Sequence, residues 1–146
     1  MLPRVEYSVT ARAAPEELWA AFCDLDRLLG RGIYSEAVWT EGEPWHSGSR
    51  LRYVVVQPVE TTVSAVVTQI EPPLKVGLLN HSLGVTVQQM VIFTPLKDST
   101  RVDLVMDAVG ESTGPASFDV TQALTFFAKD ALDTMLDRWR EKQKTA

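Results

Sequence analysis

Most of what this chain is short of concerns reactive and cationic side chains. It has one cysteine, Cys23, so no intramolecular disulfide and no multi-cysteine metal site can form. Cys23 follows Trp19, Ala20, Ala21 and Phe22, the setting of a small buried hydrophobe rather than of a reactive thiol. Its two histidines, His46 and His81, are far apart in sequence with no carboxylate beside either, and a metal site needs three or four convergent ligands, so no metal is expected. Basic clusters are missing too. The net charge is −5, and Arg50 and Arg52, the nearest thing to a basic pair, alternate along a strand as a solvated face does, which argues against a nucleic-acid partner. The longest stretch without a formal charge, residues 76–96, contains Asn80, His81, Gln88 and Gln89 and is too polar to span a bilayer. No apolar leader follows the first residues, Met-Leu-Pro-Arg, so a cytoplasmic location is the default expectation. Serine-hydrolase elbows, P-loops, dinucleotide glycine fingerprints and HExxH motifs are absent; Gly30-Arg31-Gly32 follows no strand and is a loop. No cofactor is called for.

What is present describes a soluble globular chain, 45% hydrophobic and 23% charged over 146 residues. That length suits a single domain, 1–146, burying about two-thirds of its surface, and no repeat or linker divides it. Val5, Tyr7 and Val9 alternate with polar residues as in a half-buried strand. In Ala-Ala-Pro-Glu-Glu-Leu-Trp, Pro15 suits a first helical turn, and Glu16 and Glu17 suit the positive end of its dipole. A second short helix through Leu25, Leu28 and Leu29 ends at Gly30 and Gly32. Residues 33–48 read as irregular but aromatic, with Tyr34, Trp39 and Trp45. Strands follow at 49–57, 60–70, 75–82, 84–95 and 100–109, and the breaks between them are too short for parallel crossovers, so the neighbours are antiparallel. From Phe118 to Trp139, Leu124, Phe127, Ala128, Ala131, Leu132, Met135 and Leu136 recur at steps of three and four on one arc. Gln122, Lys129, Asp130, Asp133, Asp137 and Arg140 take the other, joined by one apolar residue, Phe126. The fold class is α+β: an antiparallel sheet against a long C-terminal helix, with two short helices after the first strand.

Several motifs in this order resemble the helix-grip or START-like superfamily (SRPBCC), in particular its polyketide cyclase/dehydrase-like branch. They are the opening strand into Ala-Ala-Pro-Glu-Glu-Leu-Trp, the Trp39 region, Gly48-Ser49-Arg50-Leu51-Arg52 at the start of a long strand, Ile70-Glu71-Pro72-Pro73, and the terminal helix. The superfamily also includes lipid-transfer domains and plant allergens of the birch-pollen type. The resemblance covers nearly the whole chain. It implies a curved sheet wrapped around the long helix, with a cavity between them for an apolar or aromatic small molecule. It does not choose among carriers, cyclases and chaperone cofactors.

Candidate site residues are therefore those expected to face such a cavity. Gln89 interrupts the aliphatic face formed by Val85, Val87, Val91 and Phe93, and a buried amide needs a partner, from the protein or from a ligand. Asn80 and His81 are strand neighbours, so one of them faces inward, and an inward His81 could act as a general base. Tyr53 shares a face with Leu51 and Val55. Met106 lies on the inward face of the last strand with Val102 and Leu104. Tyr34, Trp39 and Trp45 are placed by the resemblance near the cavity mouth, where they would either contact a flat ligand or cap the core. Phe127, Ala131 and Met135 are the expected helix contacts. His81, Tyr53 and Gln89 are the catalytic candidates if the protein is an enzyme, which the sequence leaves open. Gly110-Glu-Ser-Thr-Gly-Pro115 could be a gate or a plain connection.

Three functions stay in view. The leading one is binding or transport of a hydrophobic small molecule, whether lipid, polyketide or aromatic compound. The second is a cyclase- or dehydratase-like enzyme working without metal or nucleotide, and the third is a chaperone-cofactor-like interaction domain. The expected partner is thus a small molecule, with no nucleic acid, no stable membrane insertion, and a monomeric or homodimeric state.

Overall fold

A computed structural model describes residues 3–57, 60–82, 84–109 and 120–145. In chain order they form β1 (Arg4–Ala11), α1 (Pro15–Cys23), a 3₁₀ segment (Leu25–Arg31), β2 (Tyr34–Glu41), β3 (Arg50–Val55), β4 (Thr61–Glu71), β5 (Lys75–Ser82), β6 (Val85–Pro95), β7 (Thr100–Val109) and α2 (Val120–Thr145). The strands make one sheet of order β1-β7-β6-β5-β4-β3-β2. Every neighbouring pair is antiparallel. This is the helix-grip arrangement, an antiparallel sheet with a long C-terminal helix. Residues 110–115, read as a gate or a plain connection, and the expected first turn of the helix at Phe118 lie outside the described residues.

Local chemistry explains most of these elements. Pro15 opens α1, where a missing N–H costs nothing. The Glu17 carboxylate accepts the N–H of Ala14 at 2.9 Å, which satisfies a free donor at the helix start. The 3₁₀ segment stops at Gly32, whose φ of 72° is left-handed. On β6 and β7 the alternation is strict: Val85, Val87, Gln89, Val91 and Phe93 are buried, as are Val102, Leu104 and Met106, while Ile92 is outward and exposed.

Two expectations need correction. The stretch read as irregular contains the edge strand β2, paired with β3 but with register shifts between Tyr34 and Glu36 and between Trp39 and Glu41. These irregularities break the two-residue period that marks a strand in sequence. Asp130, placed on the solvent arc of the helix, is buried at 5% exposure. The 3₁₀ segment packs along that flank of α2, and Arg31 Nη1 lies 3.8 Å from Asp130 Oδ1.

The main core joins α1, the middle of α2 and the inner faces of β5 to β7 around Phe22, Phe93, Leu104, Leu132 and Met135. A second cluster of Leu51, Ala65, Val67 and Leu78 lies over β3 to β5, and Trp39 and Trp45 pack against it. The close backbone approaches of α2 are to β1, β7, α1 and the 3₁₀ segment. The helix stands off from the central strands, and that gap positions the site.

Candidate functional site

A cavity of about 140 Å³ occupies this gap. One wall comes from α2 through Val120, Ala123, Leu124, Phe127 and Ala131, and the opposite wall from inward positions of β3 to β7 such as Val55, Val63, Leu78, Val87 and Met106. Phe22, Arg27 and Leu28 close it from α1 and the 3₁₀ segment, and Tyr34 from β2. A void of this size matches the roughly 150 Å³ apolar cavities that take up benzene, and is smaller than the ~300–1,000 Å³ of sites for drug-sized ligands.

Of the residues expected at the site, Tyr34, Tyr53, Asn80, Gln89, Met106, Phe127 and Ala131 line the cavity. The others among the described residues do not. Met135 is fully buried a turn beyond Ala131, inside the main core. Trp39 and Trp45 meet edge to face at 5.0 Å between ring centres and cap the second cluster. The Trp45 indole Nε1 donates to the Cys23 carbonyl at 2.8 Å, which ties the β2–β3 connection to the end of α1. His81 takes the opposite side of β5 from Asn80; it is exposed, and its Nδ1 lies 2.8 Å from Thr86 Oγ1 on β6. This catalytic candidate is therefore away from the cavity, because successive strand residues point to opposite faces.

The polar groups on the apolar wall are few. Thr61 and Ser82 satisfy each other at 3.2 Å across β4 and β5. The hydroxyls of Tyr34 and Tyr53 and the amides of Asn80 and Gln89 have no hydrogen-bond partner among the described residues, and all four side chains line the cavity. The tyrosine rings stand 5.9 Å apart, and Tyr34 lies 6.2 Å from Phe127 across the gap. Burial pushes both phenols up, in Tyr34 with added repulsion from Asp130, and the Arg27 charge only partly opposes it. Both therefore remain neutral hydroxyls, able to donate.

Arg27 is the residue that sequence reasoning missed. It is 9% exposed, and its guanidinium carbon lies 4.6 Å from the centre of the Phe22 ring. Nε donates to the Phe22 carbonyl at 2.9 Å, and Nη1 to the Ala131 carbonyl at 2.9 Å and to Thr134 Oγ1 at 2.6 Å. The Thr134 hydroxyl in turn donates to the Asp130 carbonyl at 2.8 Å. Nη2 has no partner among the described residues. Burial weakens the hold on the proton, with the Asp130 charge opposing it, but a guanidinium stays charged in proteins. Nothing in Leu25-Asp26-Arg27-Leu28-Leu29 singles out the arginine. An α-helical reading buries the leucines, whereas the 3₁₀ winding buries Arg27 and leaves Leu29 40% exposed.

No protein-family model matches the chain. No curated protein matches it either. Solved structures do. Ara h 8.0201 superposes with a TM-score of 0.79 at 11% identity, over 97% of this chain and 99% of that one. TTHA0849 from Thermus thermophilus gives 0.76 at 17% identity, over 96% and 99%. The Zhui aromatase/cyclase from Streptomyces sp. R1128 gives 0.76 at 16% identity, over 97% and 96%. At these identities the likeness is one of fold, and the fold is the helix-grip.

Proposed function

We propose that this protein binds or carries a small, largely apolar molecule in the cavity between α2 and the sheet. One observation carries the reading. The described lining is an apolar wall on which four polar side chains, Tyr34, Tyr53, Asn80 and Gln89, have no hydrogen-bond partner among the described residues. Apolar surface with a few converging polar groups is the usual make-up of a small-molecule site. A ligand with oxygen functions would supply what these side chains lack. The cavity also counts against the chaperone-cofactor reading, which needs no interior space.

The likeness to an aromatase/cyclase keeps a cyclase- or dehydratase-like enzyme as the second reading. It is less well supported, because acid–base chemistry needs a group that releases and takes up a proton near neutral pH. The described lining holds no histidine, carboxylate or thiol, and its two phenols are raised.

Native mass spectrometry of the purified protein tests the proposal. A co-purifying species of low mass, released on denaturation, is the expected result. A ligand-free protein that shows no thermal shift with small aromatic or aliphatic compounds would overturn it.

A further inference from the structure

The chemical class of the ligand can be narrowed, on the premise that the cavity is a binding site. Among the described residues that line it, the single formal charge is the guanidinium of Arg27. Its surroundings hold it rigidly without neutralising it: Nε and Nη1 are spent on the Phe22 and Ala131 carbonyls and on Thr134, and one face rests on the Phe22 ring. Three carboxylates lie on the neighbouring flank of α2, and none is a lining residue. Asp137 is bound by Arg31, Asp133 accepts the hydroxyl of Tyr7 at 3.1 Å, and Asp130 faces Arg31 at 3.8 Å. No ion pair joins Arg27 to any of them. The Arg27 side chain, 9% exposed, thus keeps one charged donor, Nη2, without a partner among the described residues, and it lines the same apolar space as Tyr34 and Tyr53.

A buried cation is costly unless something completes its coordination, and a charge-assisted hydrogen bond in a poorly polarisable interior is the strongest way to do so. We propose that the ligand is a small organic acid, a one-ring aromatic or similarly sized apolar body bearing a single anionic oxygen group, anchored on Arg27 Nη2 with the Tyr34 and Tyr53 hydroxyls as supporting donors. The size follows from the 140 Å³ of space. The charge follows from the lining, where a neutral ligand would leave Arg27 with no counter-charge nearer than Asp130, which makes no ion pair with it, and a cation would be repelled.

Titration calorimetry with benzoate, benzamide and benzene tests this on the intact protein. Benzoate and benzamide have nearly the same shape and differ in charge. Benzoate is expected to bind at least tenfold more tightly than benzamide, and Arg27→Met is expected to bring the ratio of those two affinities to within about twofold. The wild-type ratio decides by itself if Arg27→Met fails to fold. Benzamide or benzene binding as well as benzoate overturns the acid-specific inference and leaves the binding reading intact. Failure of all three to bind overturns both.

Discussion

Arg27 and Asp130 attract each other without touching. Each lowers the cost of the other's charge, yet no nitrogen of the arginine reaches the carboxylate, because Nη1 is held by the Ala131 carbonyl and by Thr134. Thr134 bonds the backbone carbonyl of Asp130 instead. The buried carboxylate therefore has no hydrogen bond to either oxygen, and burial raises its pKa above the ordinary 3.8, against the pull of Arg31 and Arg27.

That arrangement predicts a stabilising substitution. A raised folded-state pKa means that the native protein binds the Asp130 proton more tightly than the unfolded chain does. The resulting stability is complete below pH 3.8 and is lost as pH rises through the raised value. Asp130→Asn should therefore stabilise the protein at neutral pH by about 1 kcal/mol, or about 3 °C in Tm. The gain should shrink as the pH falls toward 4. Thermal melts of both proteins across pH 4–8 check this, and a gain independent of pH would contradict it.

Asn80 and His81 offer a paired test of sheet phase. Asn80→Leu should weaken an oxygenated cavity ligand about fivefold, the value of one neutral hydrogen bond. His81→Ala, on the exposed side of β5, should leave affinity within twofold. Equilibrium titration of the two variants separates them, and the reverse order would place the wrong face toward the cavity.

Trp45 is structural on the geometry found. Trp45→Phe keeps the ring contacts and loses the bond to the Cys23 carbonyl, so it should cost about 1 kcal/mol in urea unfolding. Ligand affinity should not change.

Gly42 should tolerate no side chain. Its φ is 78°, and a Cβ there would lie 2.5 Å from Ser49 Oγ and 3.2 Å from the Ser49 backbone. Ser49 is pinned, its hydroxyl donating to the Glu43 carbonyl at 2.6 Å. Gly42→Ala should cost about 2 kcal/mol, read as a lower denaturation midpoint at unchanged slope.

Cys23 should be inert. Burial pushes its thiol up to about 12, with Arg27 a smaller opposing influence. At pH 8 the folded protein should react with iodoacetamide about a thousandfold more slowly than a free cysteine, and unfolding in urea should restore the rate.

The strands with clean alternation, β6 and β7 above all, were legible in the sequence because one face of each packs on the core. So was the long helix, whose apolar arc needs no tertiary information to recognise. The edge strand β2 was not, since its two register shifts interrupt the period at Tyr34–Glu36 and Trp39–Glu41. Asp130 and Arg27 were hidden for a different reason. Whether a charged side chain on an amphipathic helix or a short turn is buried depends on what packs across it, and here each of two charged elements covers the other. The tryptophans stayed open for a chemical reason: a large ring in a connecting segment suits a ligand contact and a core cap equally, and only the packing against Leu51, Ala65, Val67 and Leu78 separates them.

Tyr34 stands between the two walls of the cavity, 5.9 Å from Tyr53 on the strand side and 6.2 Å from Phe127 on the helix side. It belongs to β2, an edge strand of the sheet. It acts as a shim, and its bulk sets the clearance. A smaller residue at position 34 would widen the cavity and leave the Arg27 contacts with Phe22, Ala131 and Thr134 in place.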